Sequence, residues 1–179
     1  MTATQGRVDQ LLCHATAARH EGGGATAKLP KPRDNLIIRE LQADDYHRGF
    51  IKLLGQLTTA GDITEQQFLE RFNELKKMPH TYKIAVIIDP AMNLVIASAT
   101  LLIEKKFVHG CGKVGHVEDV VVNSTYRGRN LGLRVVDQLK TWAGEAGCYK
   151  IILDCAAHNV PFYNKLGFVK KEEQMAFYY

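Results

Sequence analysis

The sequence predicts an α/β domain built on a mixed, mainly antiparallel sheet. Three observations lead there. Its segments read in the order β-α-α-β-β-β-α-β-α-β. Two β-branched runs, residues 82–89 and 94–104, flank the turn Asp89-Pro90-Ala91-Met92-Asn93 and read as an antiparallel hairpin. A long amphipathic helix over 130–146 joins two further strands, with Leu131, Val135, Leu139 and Trp142 along one side.

Size and composition fit one such domain. The chain has 179 residues, 46% of them hydrophobic and 23% charged, which suffices for a sizeable core. The net charge of +4 suits a small anionic ligand and is too diffuse to argue for nucleic acid. No apolar run approaches the ~18 residues of a membrane span, and the start lacks the apolar stretch of a secretory signal, so no membrane insertion is expected. Cys13, Cys111, Cys148 and Cys155 form no CxxC pair, which fits a reducing compartment. His109, Cys111 and His116 lie close together in HGCGKVGH but lack a second ligand pair at zinc spacing. The segment reads as a structured loop, and no metal is expected.

Residues 1–34 differ from the rest. Gly22-Gly23-Gly24 and the prolines Pro30 and Pro32 mark a flexible extension, and the domain proper covers 35–179. Within the extension, Arg7-Val8, five residues, then His14-Ala15 resembles an N-terminal peroxisomal targeting signal, such as would direct a protein to a peroxisome-type organelle (a glycosome). Asp9 and Glu21 count against a mitochondrial presequence.

The domain opens with a short strand over 36–41. Asp44 is expected to cap a helix over 44–57, with Phe50, Leu53, Leu54 and Leu57 at helical spacing. After Gly61, Thr64 and Gln67 form a capping box for a second helix that runs to about Met78, before Pro79. The hairpin follows, then a strand over 116–122 and the helix over 130–146, closed by Gly147. A strand over 149–155, a short helix over 159–166 ended by Gly167, and a last strand over 168–179 complete the reading.

The chemistry gathers in GHVEDVVVNSTYRGRNLG, residues 115–132. An apolar strand carrying two adjacent acids leads into an arginine–glycine loop that opens a helix, and a loop of N–H groups at a helix N-terminus favours phosphates. Glu118 and Asp119 alternate across a regular strand and cannot both face one ligand unless a bulge intervenes. Asp154 ends the apolar run IILDC, where a buried carboxylate is costly unless paired, so a functional or hydrogen-bonded role is expected.

This strand–loop–helix, with LDCAAHNVPFYNKLGF behind it, resembles the GNAT superfamily of N-acetyltransferases. Their loop signature reads here Arg127-Gly128-Arg129-Asn130-Leu131-Gly132. Together with EDVVV, LTTAGDIT, IEKKFVH and CYKIILDC it is similar to one branch, the glucosamine 6-phosphate N-acetyltransferases, over residues 36–179. Asn130 departs from the pattern, replacing a glycine that permits positive φ, but asparagine also tolerates the left-handed region.

The resemblance implies the GNAT fold, with fourth and fifth strands splayed so that Val120, Val121 and Val122 pair with the pantetheine arm of acetyl-CoA. It places the pyrophosphate over Gly128, Arg129, Asn130, Leu131, Gly132 and Leu133, with Arg127 beside it and Asn159 as a further contact. The implied reaction is N-acetylation of the 2-amino group of D-glucosamine 6-phosphate, on the way to UDP-N-acetylglucosamine. It needs a neutral, oriented amine, a donor for the developing oxyanion and a proton for the leaving sulfur. By resemblance Asp154 orients or helps deprotonate the amine, Glu118 and Asp119 place the sugar, and Tyr163 donates to the sulfur. Thr58, Lys106, Phe107, Val108, His109, Val120, Tyr149 and Lys150 match the acceptor-binding positions.

Relatives of this branch commonly reach the sugar phosphate with a basic residue from the other subunit of a homodimer. That position here is Tyr178. An acetyltransferase acting on another amine, such as a protein N-terminus or polyamine, is the alternative. A binding module without turnover has no need for Glu118, Asp154 and Tyr163 together.

Overall fold

The computed structural model describes residues 35–178. The Arg7–His14 signal and the rest of the extension lie outside these residues. Five strands form one sheet in the order β1-β2-β3-β4-β5: Ile37–Glu40, Tyr82–Asp89, Leu94–Lys105, Lys113–Val122 and Cys148–Ile152. The first three pairings are antiparallel and the last, β4 with β5, is parallel. The mixed, mainly antiparallel sheet expected from the element order is what forms.

Strand alternation builds a core on each face. Val86, Ile88, Val95 and Val121 pack with Phe50, Leu53 and Phe68 on one side of the sheet. These aromatic and aliphatic groups come from α1 (Phe50–Leu54) and α2 (Glu65–Lys76). Ala85, Ile87, Leu101, Val117 and Val120 pack on the other side against Val135, Val136 and Leu139 of α4, Leu131–Glu145. A single turn α3 (Val108–Cys111) links β3 to β4, and α5 (Val160–Asn164) follows β5.

Most elements begin and end where local chemistry dictates. Thr64 accepts from the Gln67 N–H while the Gln67 side chain accepts from the Thr64 N–H at 2.8 Å, so the predicted capping box forms. Gly147, at φ +77°, closes α4 in the left-handed conformation expected of its position.

Three expectations need correction. The helix over 44–57 is broken: a 3-10 turn over Ala43–Tyr46 is separated from α1 by Gly49 at φ +80°. Asp44 does not cap it. Gln42 is the capping residue, because the buried carboxylate of Asp45 turns back to accept its N–H at 2.8 Å. Arg39 holds that same carboxylate through two bonds of 2.7 Å and Arg48 through one of 3.1 Å. The strand expected over 168–179 does not form within 168–178. A strand requires a partner, and this segment pairs with none of the five strands among the described residues. The third correction concerns β5 itself, which stops at Ile152, so Asp154 lies beyond the strand and is exposed.

Candidate active site

The sheet opens where the sequence places its acids. Pairing of β4 with β5 covers Lys113 to His116 and ends at His116 opposite Ile152. From Val117 to Val122 the strand pairs with β3 alone. Its other edge therefore presents backbone N–H and C=O groups that need a partner, the splay expected of the central strands. Val120, Val121 and Val122 lie on that open edge.

A bulge settles the geometry of Glu118 and Asp119. Ser98 pairs with Val121 and Thr100 with Glu118, so Ala99 alone faces two residues of β4. Asp119 absorbs the extra residue at φ +53°. As a result Val117 and Val120, three apart, both pack into the α4-side core, and the two acids are left together on the opposite side. Both reach solvent, yet protein crowds them. Partial burial raises the Glu118 carboxyl above its ordinary value, helped by the like charges of Asp119 and Asp154 and opposed by His116. Burial raises Asp119 also. Asp154 thus joins the pair electrostatically even though its expected burial is absent.

The loop ahead of α4 has the shape of an anion cradle. Gly128 turns at φ +79° and Asn130 at φ +58°. Asparagine takes the left-handed conformation that glycine would have supplied. Its side chain does not cap α4, so the first N–H groups, those of Leu131, Gly132 and Leu133, have no side-chain acceptor among the described residues at the positive end of the helix. Gly132 is needed for contact: a Cβ there would stand 2.9 Å from the Phe162 ring. That contact seats α5 beside the loop. Arg127 is exposed and donates from Nε to the Val122 carbonyl at 3.3 Å, while Arg129 is half-buried.

Beside α5, Asn159 is 3% exposed and its Nδ2 has no hydrogen-bond partner among the described residues. Such a group costs about 1–3 kcal/mol when left unpaired, which points to an acceptor supplied by a ligand. Asn159 stands at the N-cap position of α5, but its side chain makes no capping bond. Tyr163 is 6% exposed and packs edge-on against Phe162 and Phe168. An open backbone edge, uncapped helix N–H groups and a buried amide donor together fit a ligand with an amide-bearing arm and an anionic diphosphate, as acetyl-CoA has.

The residues expected to bind the acceptor are only partly brought together. His109 and Tyr149 have ring centroids 4.3 Å apart, and the Lys150 ammonium lies 5.9 Å from the Tyr149 ring. Lys106 is held by Glu104 at 2.7 Å, and the same carboxylate contacts His116 Nε2 at 3.0 Å. Phe107 and Val108 are exposed. Thr58 lines a cavity of about 720 Å³ between α1 and the 58–63 loop, which includes no other expected site residue. Tyr178 stands 58% exposed in a tail that joins no strand. Among the described residues no three His, Cys, Asp or Glu side chains are grouped to hold a metal.

Two partners escaped sequence reasoning. Glu104 shares a strand with apolar neighbours, and only the β3–β4 register brings it to His116. Gln56 accepts the Ser124 N–H at 2.8 Å and ties the end of α1 to the segment leading into the cradle; no local signal marks that contact.

Comparison with known proteins shows the family and the fold. The acetyltransferase (GNAT) family matches residues 38–168. Glucosamine 6-phosphate N-acetyltransferase 1 of Dictyostelium discoideum is 50% identical over 145 residues, covering 81% of this chain and 92% of its own length. The glucosamine 6-phosphate N-acetyltransferase of Arabidopsis thaliana is 44% identical over 142 residues, 79% of this chain and 95% of that one. The crystal structure of the Arabidopsis thaliana enzyme superposes with a TM-score of 0.80 at 43% identity, over 82% of this chain and 99% of that chain. An acetyltransferase of Trypanosoma brucei, 34% identical, gives 0.75 over 81% and 100%.

Proposed function

The chain belongs to the acetyltransferase (GNAT) family, and from that membership we propose that it acetylates the 2-amino group of D-glucosamine 6-phosphate with acetyl-CoA, giving N-acetyl-D-glucosamine 6-phosphate and CoA. The name shared by the relatives at 44–50% identity carries the acceptor. The open edge of β4 supports the donor.

Acetyl-CoA supplies an acetyl thioester whose carbonyl carbon is taken by the amine. Backbone groups along the open edge of Val120, Val121 and Val122 hold its arm, and the N–H groups from Gly128 to Leu133 hold its diphosphate. Asn159 Nδ2 donates to the same ligand. Glu118 and Asp119 bind the sugar from their shared side of β4, and Asp154 orients the amine and takes part in removing its proton. Tyr163 returns a proton to the departing sulfur. Lys106, His109, Tyr149 and Lys150 form the rim that receives the phosphate, with Phe107 and Val108 beside it and Thr58 at the end of α1.

The functional unit is a homodimer. The outer edge of β5, unpaired among the described residues, supports this, as do exposed apolar groups at Phe107, Val108, Tyr149 and Ile152 and along the tail at Val169, Met175, Phe177 and Tyr178. No helix of the described residues is long and apolar enough to cross a membrane. The Arg7-Val8…His14-Ala15 match supports delivery to a peroxisome-type organelle. Residues 1–34 fused to a fluorescent protein should report it, and a diffuse signal unchanged by mutating Arg7 and His14 overturns that assignment.

The direct test mixes the purified chain with acetyl-CoA and glucosamine 6-phosphate and follows thiol release. No release above hydrolysis removes the reading, and equal release with unphosphorylated glucosamine removes the phosphate's part in it. Tyr163→Phe should lower kcat far more than CoA affinity; an equal loss in both removes its role as acid.

A further inference from the structure

The cradle ahead of α4 rests on a tyrosine that the proposed reaction does not use. Tyr126 is 9% exposed, and its backbone N–H is bonded to the Asn123 carbonyl at 2.8 Å. Its phenol O–H donates to Asp89 Oδ2 at 2.9 Å. The other oxygen of that carboxylate accepts the Ala91 N–H at 3.0 Å, so Asp89 is itself fixed by the turn between β2 and β3. On the ring of Tyr126 lies Arg129, its guanidinium carbon 5.0 Å from the centroid.

The two arginines of the loop therefore differ. Arg127 is exposed, whereas Arg129 is half-buried on an aromatic face anchored to the β2–β3 turn, which lies at the same end of the sheet as the end of β4. An anchor that reaches from the β2–β3 turn to the residue between Gly128 and Asn130 governs where the cradle's positive charge and N–H groups sit. Neither β2 nor β3 supplies any other residue of the proposed site.

We propose that Tyr126, tethered by Asp89, is a positioning residue for the diphosphate end of acetyl-CoA, holding Arg129 and the cradle N–H groups in their anion-binding arrangement. The inference rests on the acetyl-CoA reading above and concerns one part of it. Burial and the adjacent Asp89 raise the phenol's pKa, against a smaller opposing effect of Arg129, so Tyr126 remains an O–H donor at neutral pH.

Calorimetric titration of the full chain with CoA tests it, alongside donor kinetics with acetyl-CoA and with S-acetylpantetheine, which has no diphosphate. Loss of one hydrogen bond in Tyr126→Phe should weaken CoA binding roughly three- to tenfold. The KM for acetyl-CoA should rise by a similar factor, with kcat and the KM for S-acetylpantetheine unchanged. Asp89→Asn, which keeps an acceptor, should restore most of the affinity lost in Asp89→Ala.

CoA affinity equal to that of the unaltered chain overturns the proposal, and so does an equal loss with both donors, which a general structural defect would give. Should Tyr126→Phe not fold, Asp89→Ala, which removes the same tether, reads the same selectivity, and its absence there is equally decisive. Failure of the unaltered chain to bind CoA would instead remove the acetyltransferase reading itself.

Discussion

A carboxyl beside a second carboxyl, half shielded from water, gives up its proton reluctantly, and Glu118 has both handicaps. Its raised pKa, due first to burial and then to Asp119 and Asp154, sets where the acid limb of activity falls if its ionised form binds the acceptor. Asp119→Asn removes one like charge and leaves the burial. The acid limb of kcat/KM for glucosamine 6-phosphate should then move to lower pH, and a full pH profile of both proteins checks it. Stability follows with the opposite cost. A carboxyl with a raised folded pKa loses folding free energy as pH rises through its ordinary range, so Asp119→Asn should be the more heat-resistant protein at pH 7. Asp45 shows the reverse case: its burial, which alone would raise the pKa, is outweighed by Arg39, the Gln42 N–H and Arg48, and its contribution is present above the ordinary aspartate range and lost as pH falls below it. At this scale the sequence identified the acids by type. It could not say that two neighbours share a side, because the bulge is defined by the register of β3, which begins more than twenty residues upstream of Asp119.

Elements are legible to the extent that their signals are local. The Thr64–Gln67 box and Gly147 lie within one turn of the ends they define, and both perform as read. The break at Gly49 is different in kind. The apolar spacing of Phe50, Leu53 and Leu54 is genuine, but Asp45 is drawn out of a helical role by Arg39, which sits on β1, and a long-range ion pair decides the element's start. At the cradle, Asn130 brings two things where glycine would bring one: a left-handed backbone conformation and, beyond it, an amide side chain. Asn130→Ala must place a Cβ-bearing residue without asparagine's compensation at φ +58°, and should cost roughly 1–2 kcal/mol in urea unfolding. Asn130→Gly should be close to neutral in stability. If CoA affinity in the glycine variant also stays within about twofold, the position serves backbone shape alone; a larger loss in a fully stable protein assigns a contact to the amide.

At the scale of the whole molecule, one sheet edge and one tail remain unfinished. The sequence read a strand over 168–179 from its composition, and within 168–178 no strand forms, the segment pairing with none of the strands among the described residues. Composition reports strand-forming tendency, whereas pairing depends on what lies alongside, and a second copy is not written in one chain's pattern. The exposed groups of the tail and of Phe107, Val108, Tyr149 and Ile152 are large and apolar, and a homodimer would bury them. A chain ending at Phe168 keeps the residue that packs on Tyr163 and loses only the exposed arm. It should run as a folded monomer in light scattering, with a raised KM for glucosamine 6-phosphate and a nearly unchanged affinity for CoA, because the cradle lies wholly within one subunit. Tyr178→Arg then asks whether the arm reaches the acceptor's phosphate. A guanidinium donates two charge-assisted bonds where a phenol donates one, so the KM for glucosamine 6-phosphate should fall several-fold while that for unphosphorylated glucosamine stays constant. A fall for both acceptors would place the added charge near the sugar generally, and no change for either would put the arm's end outside the site.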